Sequence, residues 1–341
     1  MKQKRKRWLT AFACMLGALM LTECGARVFW KTRGVGFFAA HRDVYRSFYP
    51  TVDKLLRTPV DGEEECFDIL LLGGSALHLD YGNIEHVLRE RLLRETRKCV
   101  RIHNLAAAAH TTLDSYYKYR HLADRHFDMV IVYHGINETR ANNCDAETFA
   151  SDYSHYAWYK LINDFERRAL DRWLIAPFTI EFIAVKVAER IGLGRTLPPH
   201  RPDAKSQSFG CEIKTADSVR NNLSRIIELA TARNEPLVLM TFAYYVPQDY
   251  SESALKNRSL DYAVHTFPIE LWGRPECVVA GLEAHNQVTK ELARRSAGVI
   301  FVDQASMIPG DRRYFNDICH LTHEGCEAFV ENILPVIIPW M

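Results

Sequence analysis

The sequence predicts a doubly wound α/β protein: a five-stranded parallel sheet with helices on both faces, a helical insertion, and an apolar N-terminal helix. Three observations predict it. Five short apolar runs alternate with stretches whose apolar residues recur at helical spacing. The first run is continuously apolar and ends in glycines, as a strand buried on both faces does. A basic N-terminus leads directly into an apolar segment.

The N-terminal MKQKRKR carries five Lys/Arg in seven residues and precedes the apolar run Trp8–Thr22. A helix from Trp8 to Trp30, about 23 residues or roughly 34 Å, is long enough to span a bilayer. Glu23 and Arg27 then stand i,i+4 and can pair, with Trp8 and Trp30 as interfacial residues. No small-x-small cleavage site stands out, and LTEC (21–24) fits a lipoprotein box poorly because Glu23 precedes Cys24. A retained signal anchor (1–30) is therefore expected. The basic flank stays in the cytoplasm and the rest faces the periplasm or the outside.

Residues 31–66 read as a polar, aromatic-dotted connector ending in the solvated acidic turn DGEEE (61–65). The main domain, 67–341, follows. It opens with the strand FDILLLGGS (67–75), a helix over 84–98, the strand VRIHNLA (100–106), a helix over 113–124 and the strand FDMVIVYHG (127–135). Residues 145–213 break the alternation. They hold Tyr153, Tyr156, Trp158 and Tyr159, a long helical pattern over 165–190 and the loop TLPPHRP (196–202), and read as an insertion. The alternation resumes with a helix over 215–233, the strand PLVLMTFAY (236–244), a loop over 245–275 and a helix over 278–296. The strand GVIFVDQ (298–304) and a closing helix over 322–334, capped by Thr322 with Gly325 in its first turn, complete it.

Composition adds exclusions. A net charge of +1 with 25% charged residues leaves no basic excess to displace counterions, so nucleic acid is not an expected partner. Nine cysteines, seven of them beyond the anchor, are too scattered for a disulfide framework, though an oxidising compartment allows one or two bridges.

In an open parallel sheet, ligands bind beyond the carboxyl ends of the strands. Four segments fall there: GGSA after the first strand, NLAAAAHTT (104–112) after the second, HGINE (134–138) after the third, and NDICHLTHEGC (316–326) after the last. GGSA lacks the G-x-G-x-x-G of dinucleotide sites and the lysine of a P-loop. Leu77 stands where a nucleophile elbow has its last glycine. The last segment invites a zinc reading through Cys319, His320, His323 and Cys326. Adjacent residues rarely ligate one ion together, however, and no second ligand pair exists elsewhere. Each segment alone has an ordinary reading as a turn or a cap. A serine, an amide-bearing asparagine and an Asp-x-x-His at converging strand ends together make an acyl-transfer set.

These four blocks, in order and spacing, resemble the SGNH/GDSL hydrolase superfamily, and most closely its membrane-anchored bacterial branch with an LGGS-type first block. The resemblance covers roughly 67–140 and 298–335 and implies a flavodoxin-like sheet. It implies Ser75 as nucleophile, His320 as base and Asp317 as the residue orienting it. The oxyanion hole would comprise the N–H groups of Ser75 and Ala109 and the side-chain amide of Asn137. No cofactor or metal is implied. Gly74 replaces the usual aspartate and Glu138 the aspartate after Asn137. Ala109 replaces a glycine, so a positive φ there would be strained and leaves the exact donor between Ala108, Ala109 and a neighbour.

The expected activity is hydrolysis of an ester, an O-acyl group on a carbohydrate or cell-surface glycan. The insertion's aromatics with Tyr244, Tyr245, Tyr250 and Trp272 could form a sugar-stacking wall or simply pack a core. Two alternatives stand beside hydrolysis: an O-acyltransferase with the same triad, and a non-catalytic glycan-binding domain. The sequence leaves the oligomeric state open.

Overall fold

The computed structural model describes residues 2–58, 66–169, 172–191 and 202–341. The acidic turn 61–65 and most of the 196–202 loop lie outside the described residues. The chain forms two compact units, Met1–Lys54 with Tyr153–Thr196, and Leu55–Asp152 with Leu197–Met341.

The second unit holds the sheet. Its strands are β1 (Phe67–Gly73), β2 (Val100–Asn104), β3 (Met129–Tyr133), β4 (Leu237–Met240) and β5 (Val299–Val302), in the order β2-β1-β3-β4-β5, all pairs parallel. Each strand lies within an apolar run read from the sequence. β1, β3 and β4 are buried along nearly their whole length, which is why they read as continuous apolar stretches. Helices Ile84–Thr96, Thr112–Arg120, Thr215–Arg233, Pro275–Arg295 and His323–Ile337 complete the alternation. From β1 the chain passes first to β2 on one side, then to β3 on the other. The order therefore reverses at β1, and a crevice opens there beyond the strand ends.

Two disulfides brace this unit. Cys66–Cys99 joins the residues just before β1 and β2, beside the Phe67–Val100 pairing, and Cys211–Cys277 ties the approach to helix Thr215–Arg233 to the first turn of helix Pro275–Arg295. Cys14, Cys24, Cys144, Cys319 and Cys326 are free thiols.

The first unit is helical. The N-terminal helix runs Lys2–Lys31 and packs its last turns against helix Ala176–Arg190. The single helix expected over 165–190 is a correction: helix Ala157–Arg167 ends, the chain turns, and a new helix begins at Ala176. Pro177 explains the break. It lacks an N–H and fits a first helical turn, whereas inside a continuous helix it would remove a hydrogen bond and clash with the preceding turn. Within the stretch 31–66, helices His41–Arg46 and Pro50–Arg57 form, and Val44, Tyr45, Tyr49 and Val52 are buried. The insertion's aromatics pack a core: Phe165 meets Tyr45, Phe48 and Phe178, Trp158 meets Phe48 and Tyr49, and Tyr153 and Tyr159 are buried against each other.

Candidate active site

β1 ends at Gly73, and the chain turns at Gly74 into a single 3-10 turn, Ser75–Leu77, that starts on the serine. Gly74 is required by close approach. A Cβ there would lie 2.6 Å from Nδ2 of Asn137 and 3.3 Å from the His110 carbonyl oxygen. β3 leads through Gly135 into the helical turn Ile136–Thr139, which carries Asn137. Ser75 and Asn137 thus come from the two strands that flank the switch point.

Asp317 and His320 lie on one tight loop. Phe315 and Leu321 form an antiparallel bridge across its neck, and the N–H of Asn316 donates to the His320 carbonyl at 2.8 Å. The Asp317 carboxylate accepts the backbone N–H groups of Cys319 (3.0 Å) and His320 (2.9 Å). It also faces Nδ1 of His320, 2.9 Å from either oxygen. A carboxylate only accepts, so Nδ1 carries the proton and Nε2 is left as an acceptor. Nε2 lies 2.9 Å from Oγ of Ser75, whose hydroxyl therefore donates to it. Ser75 is only 7% exposed, so the nucleophile is largely shielded from solvent. Tyr81 stacks on the His320 ring at 5.0 Å and 27°, and Phe267 lies tilted against it at 5.3 Å. Together they fix the ring plane.

The oxyanion candidates divide into backbone and side chain. Ala109 has φ +63°, the strained conformation anticipated for this position. Among the described residues, no backbone hydrogen bond engages the N–H of Ala109 or of Ser75. The amide of Asn137 donates from Nδ2 to the His110 carbonyl at 2.9 Å, leaving its second hydrogen available. Its Oδ1 accepts the indole N–H of Trp272 at 3.2 Å. Glu138 is fully buried, and its Oε1 accepts the N–H of Thr112 at 2.6 Å, which braces the segment carrying Ala109. Burial pushes the Glu138 carboxyl up to about 7.

The four putting-together residues of the zinc reading do not converge. Asp317, Cys319 and His320 present donor atoms within 4.8 Å of one another, but His323 points to Asn83 and Cys326 lies outside the group. His320 Nδ1 is already committed to Asp317, and burial pushes the Cys319 thiol well above the usual range, against the thiolate a metal requires. Cys211 and Cys277, near Glu276, are joined in a disulfide.

Three contributors escaped the sequence reading: Tyr81, Phe267, and Trp272 as a partner of Asn137. Trp272 is buried, so it belongs to no exposed sugar-stacking wall. Tyr245 and Tyr250 bond to Asp261 and Glu270 through their hydroxyls.

No family model and no curated protein matches the chain. Solved structures similar to it include a GDSL-like lipase from Bacteroides thetaiotaomicron, 14% identical over 87% of this chain and 100% of that one, with a TM-score of 0.43. The acetylxylan esterase Axe2 from Geobacillus stearothermophilus is 12% identical over 82% and 96%, TM-score 0.44. A putative acylhydrolase from Bacteroides fragilis is 13% identical over 84% and 94%, TM-score 0.39. Likenesses this distant assign no activity, which has to come from the site itself.

Proposed function

We propose that the chain is a serine esterase of the SGNH type. One observation carries the reading: Ser75 Oγ, His320 Nε2, His320 Nδ1 and the Asp317 carboxylate form an unbroken chain of hydrogen bonds, each 2.9 Å. Ser75 Oγ attacks the ester carbonyl carbon while Nε2 of His320 takes its proton. Asp317 stabilises the imidazolium that results. The carbonyl oxygen becomes an oxyanion, received by the N–H groups of Ser75 and Ala109 and the amide of Asn137; one such donor is typically worth about 10²–10³ in rate. Collapse expels the alcohol, protonated by His320, and leaves an acyl-Ser75. Water, deprotonated by His320, then releases the acid and restores the serine.

We further propose that the ester is an O-acyl group on an exported carbohydrate and that the N-terminal helix is a membrane anchor. The helix is long and apolar enough to span, and two disulfides support a location outside the reducing cytoplasm. The test is turnover of p-nitrophenyl acetate by wild type and by Ser75→Ala. Turnover and fluorophosphonate labelling are expected for wild type and absent in the variant; equal turnover by both would remove Ser75 as nucleophile.

A further inference from the structure

The apolar run Trp8–Thr22 is too short to cross a bilayer alone. It spans about 22 Å, against a hydrocarbon core of roughly 30 Å. A core that begins at Trp8 extends to about residue 28, past Glu23 and Arg27. At that depth the N-terminal helix does not stand alone. Helix Ala176–Arg190 runs beside it in the same direction: Glu23 meets residues 175 and 176, and Trp30 meets Phe178, Thr179 and Phe182.

The two charged groups that the N-terminal helix brings to this layer, Glu23 and Arg27, and the indole of Trp30 are turned inward and satisfied. Glu23 pairs with Arg27 at 2.9 Å and accepts the N–H groups of Ile175 (3.1 Å) and Ala176 (2.9 Å) at the start of the second helix. Arg27 donates to the carbonyls of Phe37 (2.8 Å) and Trp173. The indole of Trp30 donates to Thr179 Oγ1 at 2.9 Å. Hydrocarbon demands this arrangement, because it offers no partner to an unpaired donor or charge. The outer face is apolar in its first turns, with Lys186 and Arg190 exposed toward its C-terminal end. Ile180, Ile183, Val187 and Ile191 are 58%, 42%, 50% and 61% exposed and recur at helical spacing along one side, and Leu21 and Val28 of the N-terminal helix are exposed as well.

We infer that the first turns of helix Ala176–Arg190 are a second membrane-embedded element, laid against the last turns of the N-terminal helix, with Ile180 against lipid acyl chains and Ile183 at their outer edge. The inference rests on the reading of the N-terminal helix as a span.

The test uses full-length protein in phosphatidylethanolamine/phosphatidylglycerol vesicles with photoreactive benzoylphenylalanine at Leu16, Ile180 or Ile183, each variant checked for folding by circular dichroism. Lipid adducts at all three positions are expected, with the yield lowest at Ile183. Adducts at Leu16 alone overturn the inference and leave the span standing. Protein–protein adducts at Ile180 and Ile183 in place of lipid also overturn it, in favour of a second copy. No adduct at Leu16 overturns both the span and the inference, and leaves the esterase reading untouched.

Discussion

The indole N–H of Trp272 holds Oδ1 of Asn137 at 3.2 Å, so the amide nitrogen is turned toward His110 and Gly74. An amide free to flip would present its oxygen to the developing oxyanion half of the time. Trp272→Phe keeps most of the buried ring and removes the N–H. Loss of one neutral hydrogen bond, about 1 kcal/mol, is expected to lower kcat for p-nitrophenyl acetate about five- to tenfold with KM little changed. An unchanged kcat would show that packing alone orients Asn137.

Gly74→Ala places a methyl 2.6 Å from Nδ2 of Asn137. The amide must move, and its donation to the oxyanion goes with it. The expected result is a kcat lower by about 10²-fold, with fluorophosphonate labelling slowed and circular dichroism unchanged. Full activity would place Asn137 outside the reaction.

Ala109→Gly is expected to act in the opposite sense. It relieves the cost of φ +63° on a residue bearing Cβ while leaving the N–H in place. Activity should persist, and thermal unfolding should show Tm unchanged or slightly raised, since the relief is offset in part by the looser unfolded chain. A large loss of activity would mean that the methyl group itself shapes the site.

Acid is expected to destabilise the fold. Burial holds His110 and His285 down to about 4 and His134 to about 3, so the folded protein keeps these imidazoles neutral where the unfolded chain protonates them near 6.5. Glu138, raised to about 7, acts the other way: it keeps its proton when the unfolded chain has lost it, which costs stability as pH rises. Between about pH 4.5 and 6.5 the three imidazoles outnumber the one carboxyl, and stability should fall on acidification by roughly 1–3 kcal/mol per pH unit, most steeply near pH 5. Urea unfolding at pH 7 and pH 5 measures it. A flat or rising stability toward pH 5 would mean that at least one of these imidazoles is charged in the folded state.

Much of this architecture was legible because buried parallel strands leave unbroken apolar runs. ILLLG in β1 and MVIVY in β3 can hardly be anything else, and the residues just after them are the ones that meet. The Asp-x-x-His spacing was legible for a similar reason, since both groups sit on one loop and contact follows from local geometry. Relationships that cross the chain were not. Nothing in the sequence around Trp272 points to Asn137, which lies 135 residues earlier. Cysteine spacing left both disulfide pairings open. The helical periodicity over 165–190 hid a break because both halves are amphipathic, and only Pro177 marked it. The aromatics at 153–159 could be read as a ligand surface or as a core, because their partners Phe48 and Tyr49 stand far earlier in the chain.

The bridge between Phe315 and Leu321 means that the orienting carboxylate and the base move as one piece. Their mutual placement is settled by a seven-residue loop, whereas the hydroxyl reaches them only after a separation of 245 residues has been closed. Damage to the fold should therefore be graded. A loosened sheet would part the serine from the imidazole while the Asp317–His320 contact survives, giving a protein that is silent toward esters yet keeps an intact half of its machinery, ready to work again once the strands re-close.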